Sequence, residues 1–154
     1  MLLKLHPFRN KILLAYLLLL IIFVILKFDG NLSSQIDTIR RIRFNRYNYN
    51  IWNINLIPFQ TMLSYRIDVS FWNILGNVVP FIPLGFLISM KFPKQVTAFK
   101  IFITCLVIIL CFEFLQFITC LGYADVDDVI LNTFSCMLGW LGYKAIQSSM
   151  ANNN

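Results

Sequence analysis

Four apolar segments constrain the fold of this chain more than any other feature of its sequence. They lie at about residues 12–28, 71–90, 96–121 and 126–146. A transmembrane helix needs about 20 mainly apolar residues. Hydrophobic residues make up 58% of the 154-residue chain, which exceeds the roughly half that is usual in soluble domains. The sequence therefore predicts an all-α integral membrane protein, a single domain with a bundle of four transmembrane helices.

The first apolar segment has the features of either a cleaved signal peptide or a retained membrane anchor. Lys4, Arg9 and Lys11 precede it, as basic residues precede both kinds of segment. The sequence KFDGNLSSQ, which follows, contains no A-x-A-like cleavage site. Lys27 can extend its charged end to the membrane edge and lengthen the span. We therefore expect a retained helix.

Basic residues near the segment ends predict the orientation of the chain. Lys91, Lys94 and Lys100 surround the short connection between the second and third segments, and Lys144 lies near the end of the fourth. Because cytoplasmic loops are enriched in Lys and Arg, we expect a multi-pass protein of the cell membrane with both termini in the cytoplasm. The long first loop, at about 28–70, disagrees with the rule, because it contains five arginines and is placed outside.

Part of this first loop is basic and has helical spacing. Ile36, Ile39 and Ile42 recur at three-residue intervals, with Arg40 and Arg43 among them. This pattern predicts either an amphipathic helix on lipid headgroups or an ordinary solvated loop helix. The net charge of +6 is better explained here by anionic lipid and by orientation signals than by nucleic acid. Membrane lipids are therefore expected as partners, and nucleic acid is not.

Four of the seven acidic residues lie in one stretch, EFLQFITCLGYADVDD, which joins the third and fourth apolar segments. A carboxylate in or near the bilayer core costs about 3 kcal/mol on insertion scales, so it is by default a candidate functional residue. Glu113 would lie ~12 Å below the outer end of its helix, and Asp128 would lie at the mouth of the next helix. Asp125 and Asp127 are expected at the turn and the helix N-cap.

Helix phase and depth place six polar side chains in the outer half of the bilayer, because residues three or four apart share a helix face. They come from the second, third and fourth segments. Each amide offers both a donor and an acceptor, which suits a headgroup with hydroxyl or amine groups. The predicted binding cluster consists of Asn73, Asn77, Glu113, Gln116, Asp128 and Asn132.

The second segment contains the unusual run NILGNVVPFIPLG. Pro80 and Pro83 each remove a backbone donor, and Gly85 loosens the helix further. The run predicts a helix that is kinked or broken at the prolines. A broken helix in a membrane often lines a polar cavity, because its freed carbonyls need partners. The alternative is a tolerated kink that only shapes the bundle.

Small residues predict a close helix contact in the fourth segment. Ser135, Gly139 and Gly142 continue the stripe that begins at Asp128 and Asn132, and small residues allow helix backbones to approach. The four cysteines show no C-x-x-C spacing and are predicted to be packing residues. The sequence predicts neither a metal site nor a cofactor.

Five motifs together resemble those of the VanZ-like family of bacterial membrane proteins. Their order and spacing match over about residues 55–142, although Gly122 replaces a common Arg and Ser135 replaces a common Gly. The motifs are NLIPF at 55–59, NILGN at 73–77, FIPLG at 81–85, E-x-x-Q at 113–116 and DVDDVILNT at 125–133. The residues expected to support the binding cluster are Asn55, Pro58, Arg66, Pro83, Gly85, Asp125 and Asp127.

This resemblance implies a biological role more than a mechanism. The founding member of the family is associated with low-level resistance to teicoplanin, a glycopeptide antibiotic that acts outside the bacterial membrane. A contribution to glycopeptide tolerance or envelope homeostasis is therefore expected here. The expected ligands are a lipid-linked cell-wall precursor or the antibiotic itself.

Three hypotheses compete for the polar cluster. In the preferred one, the protein binds a headgroup without catalysis. In the second, Glu113 and Asp128 act as acid and base, or with Asp127 as ligands of Mg²⁺ or Ca²⁺, on lipid-linked precursors or lipid headgroups. No His, Cys or Ser constellation supports a nucleophile for such an enzyme. In the third, the polar groups join the helices, with Arg66 paired to Glu113 or Asp128, although such bonds contribute only ~0.6 kcal/mol each.

Overall fold

A computed structural model describes residues 8–26, 32–60, 67–92 and 97–152 of the chain. These residues form five helices and two short strands. In chain order they are α1 (Arg9–Leu26), α2 (Leu32–Tyr49), β1 (Ile54–Asn55), α3 (Ile67–Lys91), α4 (Ala98–Thr119), β2 (Ala124–Asp125) and α5 (Val126–Asn152).

Three of the described helices are long and apolar enough to cross a membrane. The segments that qualify are Ile74–Lys91 in α3, Ala98–Thr119 in α4 and Val126–Ala151 in α5. The all-α membrane architecture is therefore confirmed at the level of helix length and composition. The first predicted span falls on α1 and extends past its described end at Leu26, so a fourth span stays a prediction.

Local chemistry defines both ends of α4. Thr97 has an extended backbone (φ −98°, ψ 151°), and its hydroxyl oxygen accepts a hydrogen bond of 3.3 Å from the Lys100 N–H. This bond satisfies one of the donors that a helix start leaves unpaired. At the other end, Cys120 has a φ of 60°, in the left-handed region where many helices terminate. The chain can then turn directly into β2.

The helices α3 and α5 run in the same direction. Asn77 contacts Asp128 across a separation of 51 residues, and Gly85 contacts Cys136 at the same separation. Contacting residues of two helices keep the same separation in sequence only if the helices run in parallel. Such helices need a crossover, and α4 supplies it by returning in the opposite direction.

Glycine allows α3 and α5 to approach very closely. A Cβ atom on Gly85 would overlap the backbone carbonyl of Cys136, and one on Gly139 would lie 2.8 Å from the Phe86 nitrogen. The close contact that the sequence predicted at Gly139 is therefore confirmed. The same prediction is wrong at Gly142, where a Cβ would meet nothing within 4 Å, because that residue lies outside the tight part of the contact.

Two hydrogen bonds show how α1 lies against the other helices. The Arg9 Nη1 group donates to the Met90 carbonyl at 2.9 Å, so the start of α1 meets the end of α3. The Gln116 Nε2 group donates to the Val24 carbonyl at 2.9 Å, so the ends of α1 and α4 meet. The C-terminal ends of α1 and α4 therefore lie at the same end of the molecule as the N-terminal ends of α3 and α5.

The proline residues lie inside an uninterrupted α3. This helix continues through Pro80 and Pro83, so the predicted break is wrong, and the kink stays a prediction. The Tyr16 hydroxyl donates to the Pro80 carbonyl at 2.5 Å, which joins α1 to this part of α3. The surrounding core consists of Leu13, Leu20, Phe81, Leu84, Ile88, Ile101, Cys105, Ile109, Phe112 and Cys136.

The cysteines are free thiols in the structure. Cys105 and Cys136 belong to the core, and Cys120 is also buried, as expected for packing residues. Cys111 is exposed, so its side chain does not pack inside the protein as predicted.

The first loop contains the helix α2 and a strand that the sequence did not predict. The helix covers the predicted basic stretch, with Ile42 buried and Ile36 exposed. After it, β1 pairs in parallel with β2, so that Ile54 lies opposite Ala124 and Asn55 opposite Asp125. The strands have two residues each, which is too short for a periodic sequence signal. This pairing brings the first loop to the start of α5.

Acidic side chains gather at one end of the helix bundle and basic ones at the other, although Arg46 of α2 also lies at the acidic end, against the last turn of α4. The acidic end lies where α4 stops and α5 begins and contains Glu113, Asp125, Asp127 and Asp128. The opposite end contains Arg9, Lys11, Lys91, Lys100 and Lys144.

Candidate functional site

Asp125 joins three segments at the acidic end. Its Oδ1 atom accepts a hydrogen bond of 2.9 Å from the Asp127 N–H, which makes it the N-cap of α5. Its own N–H donates to Glu113 Oε2 at 3.0 Å. Asn55 Nδ2 lies 3.3 Å from each of its carboxylate oxygens. Asp125 therefore connects α4, α5 and β1, which is more than the turn position that the sequence predicted.

Asp127 holds the first loop against α5. It is not an N-cap, because it lies within the first turn of the helix, so that part of the prediction is wrong. Its side chain is only 2% exposed, and its Oδ1 atom accepts a hydrogen bond of 2.5 Å from the Phe59 N–H. Phe59 has a φ of 64°, a backbone conformation that bulky residues rarely adopt. The carboxylate therefore stabilises an unfavourable backbone conformation.

Asn77 and Asp128 are the members of the predicted cluster that the described structure pairs directly. Asn77 Nδ2 donates to Asp128 Oδ1 at 2.5 Å, and a bond to a charged acceptor is stronger than one between neutral groups. Asn132 lies one turn further along α5, on the same helix face. Its side chain is 3% exposed, and its Oδ1 atom accepts no hydrogen bond in the described structure.

Glu113 and Gln116 are buried on α4 but have different neighbours. Glu113 accepts the bond from the Asp125 N–H, so it faces the start of α5. Gln116 donates to Val24 of α1, so its amide nitrogen is joined to α1 and not to Asn77 or Asp128. Arg66 and the side chain of Asn73 lie outside the described residues, and their predicted places in the cluster stay predictions.

A second polar centre, which sequence reasoning missed, surrounds Arg46. Its Nη2 group donates to the Phe117 carbonyl at 2.6 Å, and its Nε group donates to Asn53 Oδ1 at 3.1 Å. The buried Asn53 side chain in turn donates to the Gly122 carbonyl at 2.6 Å. The guanidinium carbon lies 5.1 Å from the Trp52 ring and 4.6 Å from the Phe117 ring. Arg46 thus satisfies a carbonyl in the last turn of α4, where helices leave four acceptors unpaired.

The sequence contained little to indicate this second centre. Arg46 lies far from the apolar segments, so the rule for membrane orientation gives it little weight. The only local signal was an aromatic residue next to an asparagine, Trp52 beside Asn53. The partners are carbonyl groups about 70 residues away, and backbone acceptors have no sequence signature.

The polar groups at the acidic end act as acceptors for backbone and amide N–H groups. Within the described part of the chain, no group of three or more His, Cys, Asp or Glu side chains is arranged to hold a metal ion. Carboxylate and amide oxygens can also accept bonds from the hydroxyl or amine groups of a ligand. The arrangement is therefore suited to the recognition of such a ligand.

Comparison with known proteins gives two matches. A family model described as VanZ/LLP1 matches residues 13–147. Protein VanZ of Enterococcus faecium is 34% identical over 128 residues, which cover 83% of this chain and 68% of that protein. No solved structure matches. The family match includes every residue of the acidic end described above and extends beyond the 55–142 region that the motifs indicated.

Proposed function

Because this chain belongs to the VanZ/LLP1 family, we propose that it contributes to glycopeptide tolerance of the teicoplanin type, or to envelope homeostasis, by binding a polar ligand without catalysis. The proposed binding site is the acidic end. The proposed ligand is the headgroup of a lipid-linked cell-wall precursor, and the antibiotic is the alternative ligand.

One observation carries this proposal, namely the buried and unpartnered oxygen of Asn132. A buried acceptor without a hydrogen bond costs about 1–3 kcal/mol, and Asn132 Oδ1 is such an acceptor in the described structure. The Asn77–Asp128 pair lies one turn nearer the acidic end. A ligand that donates a hydrogen bond from a hydroxyl or amine group offsets the cost at Asn132 while its remaining polar groups contact the pair.

The proposed placement in the membrane puts the acidic end on the outside. Four helices, α1, α3, α4 and α5, cross the bilayer, and α3 is kinked near its prolines. Both termini lie in the cytoplasm. Support comes from the five basic residues at the opposite end, since cytoplasmic ends are enriched in Lys and Arg. The arginines of α2 count against this placement, because Arg46 lies against the last turn of α4. The proposed site then faces the leaflet in which a lipid-linked precursor would be exposed.

The test uses cells that lack the gene and carry it again in wild-type or variant form. Asp128→Asn and Glu113→Gln remove a negative charge and keep an oxygen that can accept a hydrogen bond. Drug susceptibility and lipid-linked precursor profiles are measured at matched protein levels. We expect both variants to lose the tolerance or precursor change that the wild-type chain restores.

A matched control for these variants is Asp37→Asn. Asp37 is an exposed acid of α2 that forms a surface ion pair of 3.6 Å with Arg40, so its loss removes the same charge away from the acidic end. This variant should behave as wild type. The binding proposal fails if Asp128→Asn and Glu113→Gln accumulate normally and keep full function.

A structural role is the second candidate, and specific bonds favour it. Glu113 and Asp127 each accept a backbone N–H from another segment of the chain, so both join parts of the fold. If this role is the whole function, variants at the acidic end will lower the amount of folded protein and leave the activity per remaining molecule unchanged. Quantification of folded protein in membranes beside each susceptibility assay separates the two candidates.

A further inference from the structure

Three large apolar side chains project from the turn that follows β1. Leu56 is 74% exposed, Ile57 61% and Phe59 54%. We propose that these residues, here called the apolar tip, enter the membrane leaflet at the acidic end and contact lipid acyl chains. This inference concerns a lipid contact of the first loop and does not depend on the proposed ligand.

Two backbone N–H groups of the tip find partners within the protein. The Ile57 N–H donates to Asn55 Oδ1 at 3.2 Å, and the Phe59 N–H donates to Asp127 Oδ1 at 2.5 Å. Pro58, between them, has no N–H group. An unsatisfied backbone group costs several kcal/mol in hydrocarbon, so non-helical backbone at membrane depth must find partners within the protein. A loop in water has no such requirement.

The conformation of Phe59 supports the same conclusion. A φ of 64° places a bulky residue in the left-handed region, which costs about 1–2 kcal/mol. Burial of the ring inside the protein does not offset this cost, because the side chain remains about half exposed. The Asp127 bond stabilises this backbone, and contact of the ring with acyl chains would add to that by removing apolar surface from water.

The position of the tip fits a lipid contact. Asp127, which holds it, belongs to the first turn of α5, where a candidate membrane span begins. The next turns of this helix expose Ile130 and Phe134, so the tip continues an apolar surface. A tip that lies at the start of a candidate span and continues its exposed apolar side chains is positioned to enter the interface of the leaflet.

Fluorescence quenching in vesicles tests the contact. The full chain with Cys111→Ala, which removes the exposed thiol, receives a cysteine at Ile57 and is labelled with bimane. Phe114→Cys, on an exposed position of α4, is the lipid-facing control, and Tyr47→Cys, 91% exposed on α2, is the water-facing control. Each protein is placed in phosphatidylcholine–phosphatidylglycerol vesicles, with or without acyl chains brominated near the headgroup.

We expect brominated lipid to reduce the fluorescence at position 57 by at least about twofold more than at position 47, and by an amount similar to that at position 114. Aqueous iodide should quench only the label at position 47. Quenching at 57 by iodide and not by brominated lipid would overturn the proposal. The label at position 57 could also be protected from both quenchers and lose this protection when the protein is diluted into more lipid. This result would overturn the proposal too, because it would show that a second copy of the chain covers the tip.

Two variants of Asp127 test the role of the backbone bond. Asp127→Asn keeps an oxygen that accepts the Phe59 N–H, so lipid quenching at position 57 should persist. Asp127→Ala removes the acceptor, and the quenching should fall toward the level at position 47. Equal lipid quenching in the two variants, both folded by their helix content, would contradict the account of the tip.

Discussion

The contact between α3 and α5 and the acidic end both hold separate segments together, but they do so in different ways. The helix contact depends on shape, because glycine at positions 85 and 139 allows backbone atoms to touch. The acidic end depends on polar bonds, in which buried carboxylates accept N–H groups from other segments. The backbone contact between the helices leaves no polar group that could bind a ligand. The carboxylate oxygens at the acidic end can accept more than one hydrogen bond and can therefore also bind one. The helix contact therefore supplies rigidity, and the acidic end has the groups that the proposed recognition requires.

The largest effect on stability is expected from a side chain in the helix contact. Gly85→Leu should lower the free energy of unfolding by about 3 kcal/mol or more, because its first carbon already overlaps the Cys136 carbonyl. Unfolding in mixed micelles of mild detergent and dodecyl sulfate measures the change. Gly142→Ala is the control and should stabilise by about 0.5–1 kcal/mol, since its Cβ meets open space and alanine favours helix. Equal behaviour of the two variants would contradict the shape-based account.

A smaller loss is expected when the acidic end loses an acceptor. Asp127→Ala leaves the Phe59 N–H without its partner, and an unpaired backbone donor costs about 1–3 kcal/mol. The same micelle unfolding assay measures this change. Asp127→Asn should lower the free energy of unfolding by less, because it keeps an oxygen that accepts the Phe59 N–H. If both variants unfold like the wild type, the buried carboxylate does not hold the first loop.

At the second polar centre, Arg46→Ala should lower the free energy of unfolding by about 1–2 kcal/mol. The variant removes the bond to the Phe117 carbonyl and the contacts with two rings. Arg46→Lys should recover little, because the ammonium group lacks the planar fork that reaches both Phe117 and Asn53. Full stability in Arg46→Lys would show that charge alone is sufficient at this position.

The sequence indicated the parts of this structure that depend on local chemistry. Apolar segment length identified α3, α4 and α5. The preference of aspartate for helix starts indicated an N-cap at the beginning of α5, although the capping residue is Asp125 and not Asp127. The close contact at Gly139 follows from the spacing of small residues. These features could be predicted because the residues that indicate them lie near one another in the sequence.

The remaining features depend on distant partners. The β1–β2 pair has two residues on each strand, and the neighbours of Arg46 are backbone carbonyls. Gln116 shares a helix face with Glu113, but helix phase alone does not show that α1 covers part of that face. Gly142 follows the spacing of the stripe and still has no neighbour, because spacing does not show where two helices diverge.

The most direct test of the central claim, that the acidic end serves ligand binding, is the variant Asn132→Leu. Its buried oxygen accepts no bond in the described structure, so replacement by an apolar group of similar size should leave the free energy of unfolding unchanged or raise it by about 1 kcal/mol. We predict that drug tolerance per folded molecule is nevertheless lost. Unchanged tolerance in a normally folded Asn132→Leu protein would contradict a binding role for this site.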